Sequence, residues 1–153
     1  MAQSLIQIYV HLIYHVKTTS CCIQQENFSG LYAFTAGTAE SLGSHAILIG
    51  GVNDHVHMLC TLPKTILLPD FVRQIKVASH RYLTTTSPDL YKRFAWQSGY
   101  AAFSVSPSIL DKTKEYISNQ PEHHRRISFR EEYLRFLQEY KVEGVDERFL
   151  FSD

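Results

Sequence analysis

The sequence predicts an α+β fold, an antiparallel sheet with helices packed on it. Three observations carry that prediction: a period-two alternation near the N-terminus, two β-rich runs joined across Asn53-Asp54, and helical patterns opened by Pro69, Ser106-Pro107 and Ser128. The resulting order, β-α-β-β-α-β-α-α, lies close to the ferredoxin or RNA-recognition-motif arrangement.

Between Leu5 and Val16 the even positions are Ile6, Ile8, Val10, Leu12, Tyr14 and Val16, while the odd ones mix Gln7, Tyr9, His11, Ile13 and His15. A strand with this alternation has one apolar and one mixed face. Residues 28–42 form a loosely patterned helix weakened by Gly37. Ala46 to Val52 and His55 to Leu62 make a hairpin that Pro63 terminates. From Pro69, Val72, Ile75, Ser79 and Tyr82 line one helical face and Arg73, Lys76 and His80 another, with Pro88 beyond the end. Phe94 to Val105 reads as a strand broken by Gly99, its Trp96, Tyr100 and Phe103 serving as core. Ser106 then caps a helix with Pro107 at its first position, running through at least Asn119. A last helix starts at the capping box Ser128-Phe-Arg-Glu131 and ends near Gly144.

The 153 residues, 44% hydrophobic, 20% charged and 12% aromatic, are expected to form a single domain over 1–153. Disordered, collagenous and disulfide-scaffold classes are excluded by that composition. The apolar N-terminal stretch lacks a basic flank and is interrupted by Gln7, His11 and His15, which argues against a signal peptide and for the cytoplasm. Three cysteines, two of them adjacent (Cys21 and Cys22), suit a reducing compartment. Fifteen bases balance fifteen acids, yet residues 71–93 carry net +4 and 112–130 net +3. These segments could bind a polyanion locally or form solvated helix faces.

His55-Val56-His57 is the sharpest local feature, because residues i and i+2 of a strand project from one face. Both imidazoles can reach one metal ion, while Val56, Met58, Cys60 and Leu62 take the opposite, core side. His11 and His15 could border the same site if their strand pairs there. Tyr116 and Gln120, four residues apart, share a helix face. A tyrosine can form a phosphate ester that conserves the energy of the bond it replaces, and an ion on two imidazoles and an amide keeps positions open for phosphodiester oxygens. Taken singly, these residues also read as strand histidines and a half-buried aromatic beside an exposed amide.

The combination of His55-Val-His57 with Tyr116-Ile-Ser-Asn-Gln120 resembles the single-tyrosine HUH transposases (U being a hydrophobic residue) of the smallest bacterial insertion sequences and their REP-associated relatives. Ile8-Tyr-Val-His11, Gly51-Val-Asn-Asp54, Phe71-Val-Arg-Gln-Ile-Lys76, Trp96-Gln-Ser-Gly-Tyr100, Phe103-Ser-Val-Ser106, His123-His124, Ser128 to Leu137 and Asp146-Glu-Arg-Phe149 extend the resemblance over nearly the whole chain.

It implies an HUH endonuclease fold, His55, His57 and Gln120 as ligands of Mg²⁺ or Mn²⁺, and Tyr116 as nucleophile. It also implies cleavage and rejoining of single-stranded DNA with hairpin ends through a 5′-phosphotyrosine, by a homodimer sharing its active sites, in a bacterial or archaeal cytoplasm. Arg73, Lys76, Arg81, Lys92 and Arg93 would contact phosphates. Pro121 departs from the family pattern and disfavours helical geometry at Gln120, and the segment after His15 is less basic than in relatives. Competing readings are a domesticated REP-associated nickase and a non-catalytic nucleic-acid module with aromatics on an open sheet face. A hydrolytic metalloenzyme lacks its HExxH motif here.

Overall fold

The computed structural model describes residues 2–152. Four strands, β1 (Tyr9–His15), β2 (Ala46–Gly51), β3 (His55–Thr61) and β4 (Ala101–Val105), form one sheet in the order β2-β3-β1-β4. Every pairing is antiparallel. Helices α1 (Phe28–Ser41) and α2 (Leu68–Thr86) cover one face. On the other lie α3 (Leu110–Ser118), α4 (Gln120–His123) and α5 (Phe129–Glu139), with α6 (Glu147–Leu150) beyond them. Among the described residues no helix is long and apolar enough to cross a membrane.

The alternation of β1 divides the core as expected. Val10, Leu12 and Tyr14 pack with Val56, Met58 and Cys60 against Leu31, Phe71, Val72, Ile75 and Leu83. Ile13 turns the other way, toward Phe103, Phe129, Tyr133 and Leu137. The strand starts at Tyr9 rather than Leu5, and Leu5, Ile6 and Ile8 are exposed. Tyr9 pairs with Thr61 on one side and Val105 on the other. Both partners then run into prolines, Pro63 and Pro107, which have no N–H to extend a ladder.

Other boundaries also differ from the sequence expectation. The run from Phe94 is a strand only over Ala101–Val105, with Trp96 making an isolated bridge to Val16. Between them the backbone is served by side chains: Gln97 Oε1 accepts from the Gly99 N–H at 2.6 Å, and Lys76 Nζ donates to the carbonyls of Gln97 and Gly99. Ser106 caps as expected, but Pro107–Ile109 is a 3-10 turn before α3. Helical structure breaks at Asn119, two residues before Pro121, whose ring cannot continue an α-helical ladder. Ser128 accepts from the Glu131 N–H as the capping box requires, yet α5 stops at Glu139 because Lys141 takes a left-handed φ of 52°. The unforeseen α6 is capped by Asp146.

Gly50 brings α3 close to the sheet. A Cβ there would lie 2.8 Å from the Ile117 carbonyl oxygen and 2.9 Å from Ile117 Cγ2. We expect Gly50→Ala to push α3 outward and destabilise the protein by about 1–3 kcal/mol, read by urea unfolding. An unchanged midpoint would show that β2 and α3 separate freely.

Candidate functional site

The β1–β3 register sets His15 opposite His55 and Ile13 opposite His57, so His11, His15, His55 and His57 share the face toward α3–α5. The expectation that this face lies outside the core is corrected: helices cover it, and His55 and His57 are fully buried. Each carries a partner on its outer nitrogen. His55 Nδ1 lies 2.6 Å from Asp54 Oδ1, and His57 Nδ1 lies 2.7 Å from His11 Nε2. Both Nε2 atoms therefore point inward to one place.

That place holds the carboxylate of Glu132, delivered by the buried stripe of α5 that also contains Phe129, Tyr133 and Leu137. Its Oε1 lies 3.0 Å from His57 Nε2, 3.4 Å from His55 Nε2 and 3.2 Å from His124 Nε2. Oε2 accepts from the Tyr116 hydroxyl and, at 3.0 Å, from Gln120 Nε2, while His123 Nε2 stands 3.2 Å away. Gln120 Oε1 in turn lies 3.0 Å from His55 Nε2. Gln120 is thus held inside the site despite Pro121, because the break at Asn119 lets it begin a new turn.

The charges follow from these contacts. Burial alone would lower His55, but hydrogen bonds to Asp54 and Glu132 outweigh it and push its pKa up to about 9. Burial lowers His57 to about 4 and His11 to about 3, so both are neutral near pH 7. The 3.0 Å contact of His57 with Glu132 is accordingly a neutral imidazole's hydrogen bond. Burial raises the Glu132 carboxyl, yet the imidazoles of His124, His55 and His57 hold it well below the usual carboxylate range. Burial, then Glu132, raises the Tyr116 phenol above its ordinary value, so it is protonated.

The residues fit a divalent cation. Ligand atoms of His55, His57, His124 and Glu132 all lie within 4.8 Å of one another, and imidazole nitrogen with carboxylate or amide oxygen is a donor set suited to first-row divalent ions. His124 Nε2 is buried without a hydrogen-bond partner among the described residues; its approach to Glu132 has the distance of a hydrogen bond but not the geometry. A cleft of about 160 Å³ lined by Tyr116, His123, Glu132, Arg135 and Phe136 flanks the nucleophile candidate.

Of the residues singled out from the sequence, His55, His57, Tyr116 and Gln120 come together. His15 borders the site, its ring tilted against Phe129 with centroids 5.0 Å apart and its Nε2 on the Leu150 carbonyl. The basic residues do not join them. Arg73, Lys76 and Arg81 line a groove of about 720 Å³ with Trp96 and Tyr100, beside the helix on the opposite sheet face. Lys76 is turned inward onto two carbonyls, and burial lowers its pKa to about 8. Lys92 and Arg93 are exposed just past α2. Sequence reasoning missed Asp54, which read as a turn residue, and Glu132, whose signal was a lone carboxylate inside an apolar helical stripe.

Known proteins share this chain's pattern. The family described as "Transposase IS200 like" matches residues 4–120. The ISDra2 transposase TnpA of Deinococcus radiodurans is 29% identical over 118 residues, covering 74% of this chain and 84% of that protein. A crystal structure of a candidate transposase from Deinococcus radiodurans R1 superposes with a TM-score of 0.62 at 25% identity, covering 78% of this chain and 95% of the other. The structure of a REP-associated tyrosine transposase bound to a REP hairpin gives a TM-score of 0.59 over 83% of this chain and 74% of that one; at 13% identity the likeness is one of fold.

Asp54 orients His55, so Asp54→Asn should weaken Mn²⁺ binding by about 10–100-fold while leaving the circular dichroism spectrum unchanged. Titration calorimetry reads the difference, and equal affinity would mean that the Asp54 contact does not set the His55 ring.

Proposed function

The chain belongs to the IS200-like transposase family, and from that premise we propose that it cleaves and rejoins single-stranded DNA, with Tyr116 as nucleophile and His55, His57 and Gln120 as ligands of Mg²⁺ or Mn²⁺. One observation carries the reading: the Tyr116 hydroxyl and the two imidazoles of the His55-Val-His57 strand meet on the same buried carboxylate. The nucleophile and the cation ligands are therefore neighbours.

A divalent ion held by His55, His57 and Gln120 would supply positive charge to offset that on the phosphoryl oxygens. The protein's own groups do the rest. Tyr116 Oη attacks the phosphorus, the P–O bond to the 3′ oxygen breaks, and the products are a 5′-phosphotyrosine and a free 3′-hydroxyl. Glu132 Oε2 accepts a hydrogen bond from the phenol and holds Oη in position, and the proton that the phenol releases to solvent is balanced by the one that the leaving 3′ oxygen takes up. Rejoining reverses these exchanges with a 3′-hydroxyl as nucleophile, so the number of phosphodiester bonds is conserved without ATP or water. Exposed Arg135 at the cleft beside Tyr116 is placed to meet a backbone phosphate, and Arg73, Arg81, Lys92 and Arg93 supply further positive charge along the DNA.

The substrate we propose is single-stranded DNA with hairpin ends, handled in a bacterial or archaeal cytoplasm by one domain over 1–153 acting as a homodimer. A domesticated REP-associated nickase would use the same residues. The non-catalytic module is disfavoured because both faces of the sheet are covered and Phe103 and Trp96 are buried, leaving no open aromatic platform on the sheet among the described residues.

Replacing Tyr116 by Phe keeps the ring and removes the nucleophilic oxygen. With Mn²⁺ and pooled single-stranded oligonucleotides, Tyr116→Phe should lose the covalent protein–DNA band on a denaturing gel while still binding DNA within about twofold of wild type. A band that persists would assign the chemistry to another tyrosine.

A single chain brings Tyr116 beside its own His57, with ring centroids 5.9 Å apart, which favours sites complete in one chain over sites shared between subunits. Heterodimers of His57→Ala and Tyr116→Phe chains should therefore remain inactive. Recovery of the adduct would establish sharing instead.

A further inference from the structure

We propose that Glu132 and His124 are themselves metal ligands, completing with His55 and His57 a set that holds Mn²⁺ more tightly than Mg²⁺. The inference rests on the reading of this face as a metal site and extends it. Both residues lie beyond the 4–120 span matched by the family, in the segment that leads from α4 into α5.

The argument for His124 is one of tautomers. Its Nδ1 lies 2.9 Å from the Ile127 carbonyl oxygen, which can only accept, so Nδ1 carries the hydrogen. In the neutral ring Nε2 then presents a lone pair. That nitrogen lies 3.2 Å from Glu132 Oε1, off the line of a hydrogen bond, on a side chain 8% exposed, and it has no hydrogen-bond partner among the described residues. Two acceptors buried against each other are unfavourable unless something positive lies between them. Protonation would serve, but so would a cation that both can ligate, and the surroundings are built for the second. His57 Nε2 is hydrogen-bonded to the same oxygen at 3.0 Å and His55 Nε2 lies 3.4 Å from it, while Asp54 and His11 hold their outer nitrogens. Asp54 and His11 thus play the part of the partners that orient metal-bound imidazoles.

Glu132 supplies the missing negative charge. Its side chain is 2% exposed, and an uncompensated carboxylate is costly at that depth. Its two oxygens are divided in use: Oε1 faces the imidazoles, and Oε2 faces the Tyr116 hydroxyl and Gln120 Nε2. Oε1 is free to ligate while Oε2 keeps Tyr116 in place. A nitrogen-rich set with one carboxylate suits first-row transition ions, whereas Mg²⁺ prefers oxygen and retains its water.

The test uses the full chain and Mn²⁺ alone, without DNA. Affinity by calorimetry should fall about 10–100-fold in Glu132→Gln and by about tenfold in His124→Gln, with the preference for Mn²⁺ over Mg²⁺ narrowing in the latter. In the wild-type protein, pulsed electron paramagnetic resonance with ¹⁵N-histidine should count His55, His57 and His124 on the ion, and δ-¹³C-glutamate should show a directly bound carboxylate. These wild-type measurements decide the matter even where a variant fails to fold. Detection of only two imidazoles and no carboxylate, or variants within twofold of wild type while His57→Ala loses binding, would overturn the assignment of Glu132 and His124 and leave the His55-His57 reading standing. Unchanged Mn²⁺ binding in His57→Ala as well would overturn both.

Discussion

A carboxylate buried among imidazoles is the constraint around which this protein is organised. Glu132 is almost entirely removed from solvent, and four imidazoles, an amide and a phenol converge on its two oxygens. Leaving such a group without compensation would cost several kcal/mol. Its neighbours therefore have to be in place together: β3 provides His55 and His57, α3 provides Tyr116, α4 provides Gln120, and the turn after α4 provides His124. Four parts of the chain are tied to one point.

The sheet makes that convergence possible. Antiparallel pairing on both sides of β1 carries His11 alongside His57 and His15 alongside His55, so the histidines of two strands form one patch. The close approach at Gly50 seats Ile117 on β2, which places Tyr116 at the edge of the patch. Phe129, stacked on His55 with centroids 4.3 Å apart, supplies the apolar wall, and a low-dielectric wall strengthens every polar contact inside it. On the opposite face, α1 and α2 bury the larger apolar and aromatic core, so the histidine patch and that core lie on opposite sides of one sheet.

The same division explains the electrostatics. His55 and His57, two residues apart, are driven in opposite directions, upward by Asp54 and Glu132 in one case and downward by burial in the other. Sequence spacing cannot separate them; the placement of Asp54 against His55 alone does. Lys76 illustrates the converse, a residue that reads as a surface base yet spends its ammonium on the carbonyls that hold the 97–99 loop open between Trp96 and β4.

The local pattern by itself determined the succession of strands and helices, the face shared by His55 and His57, and the pairing of Tyr116 with Gln120, because periodicity, caps and turns are written over a few adjacent residues. Where elements stop was decided by their neighbours: β1 begins at Tyr9 because both flanking strands run into proline. The continuous helix implied through Asn119 is in fact divided, and the division is what keeps Gln120 inside despite Pro121. Glu132 and Asp54 were legible only as a helix acid and a turn acid. Their meaning arises from partners 75 residues away in one case and from the burial of an adjacent ring in the other. Both depend on how α5 closes over the sheet, a long-range packing outcome that no local spacing encodes.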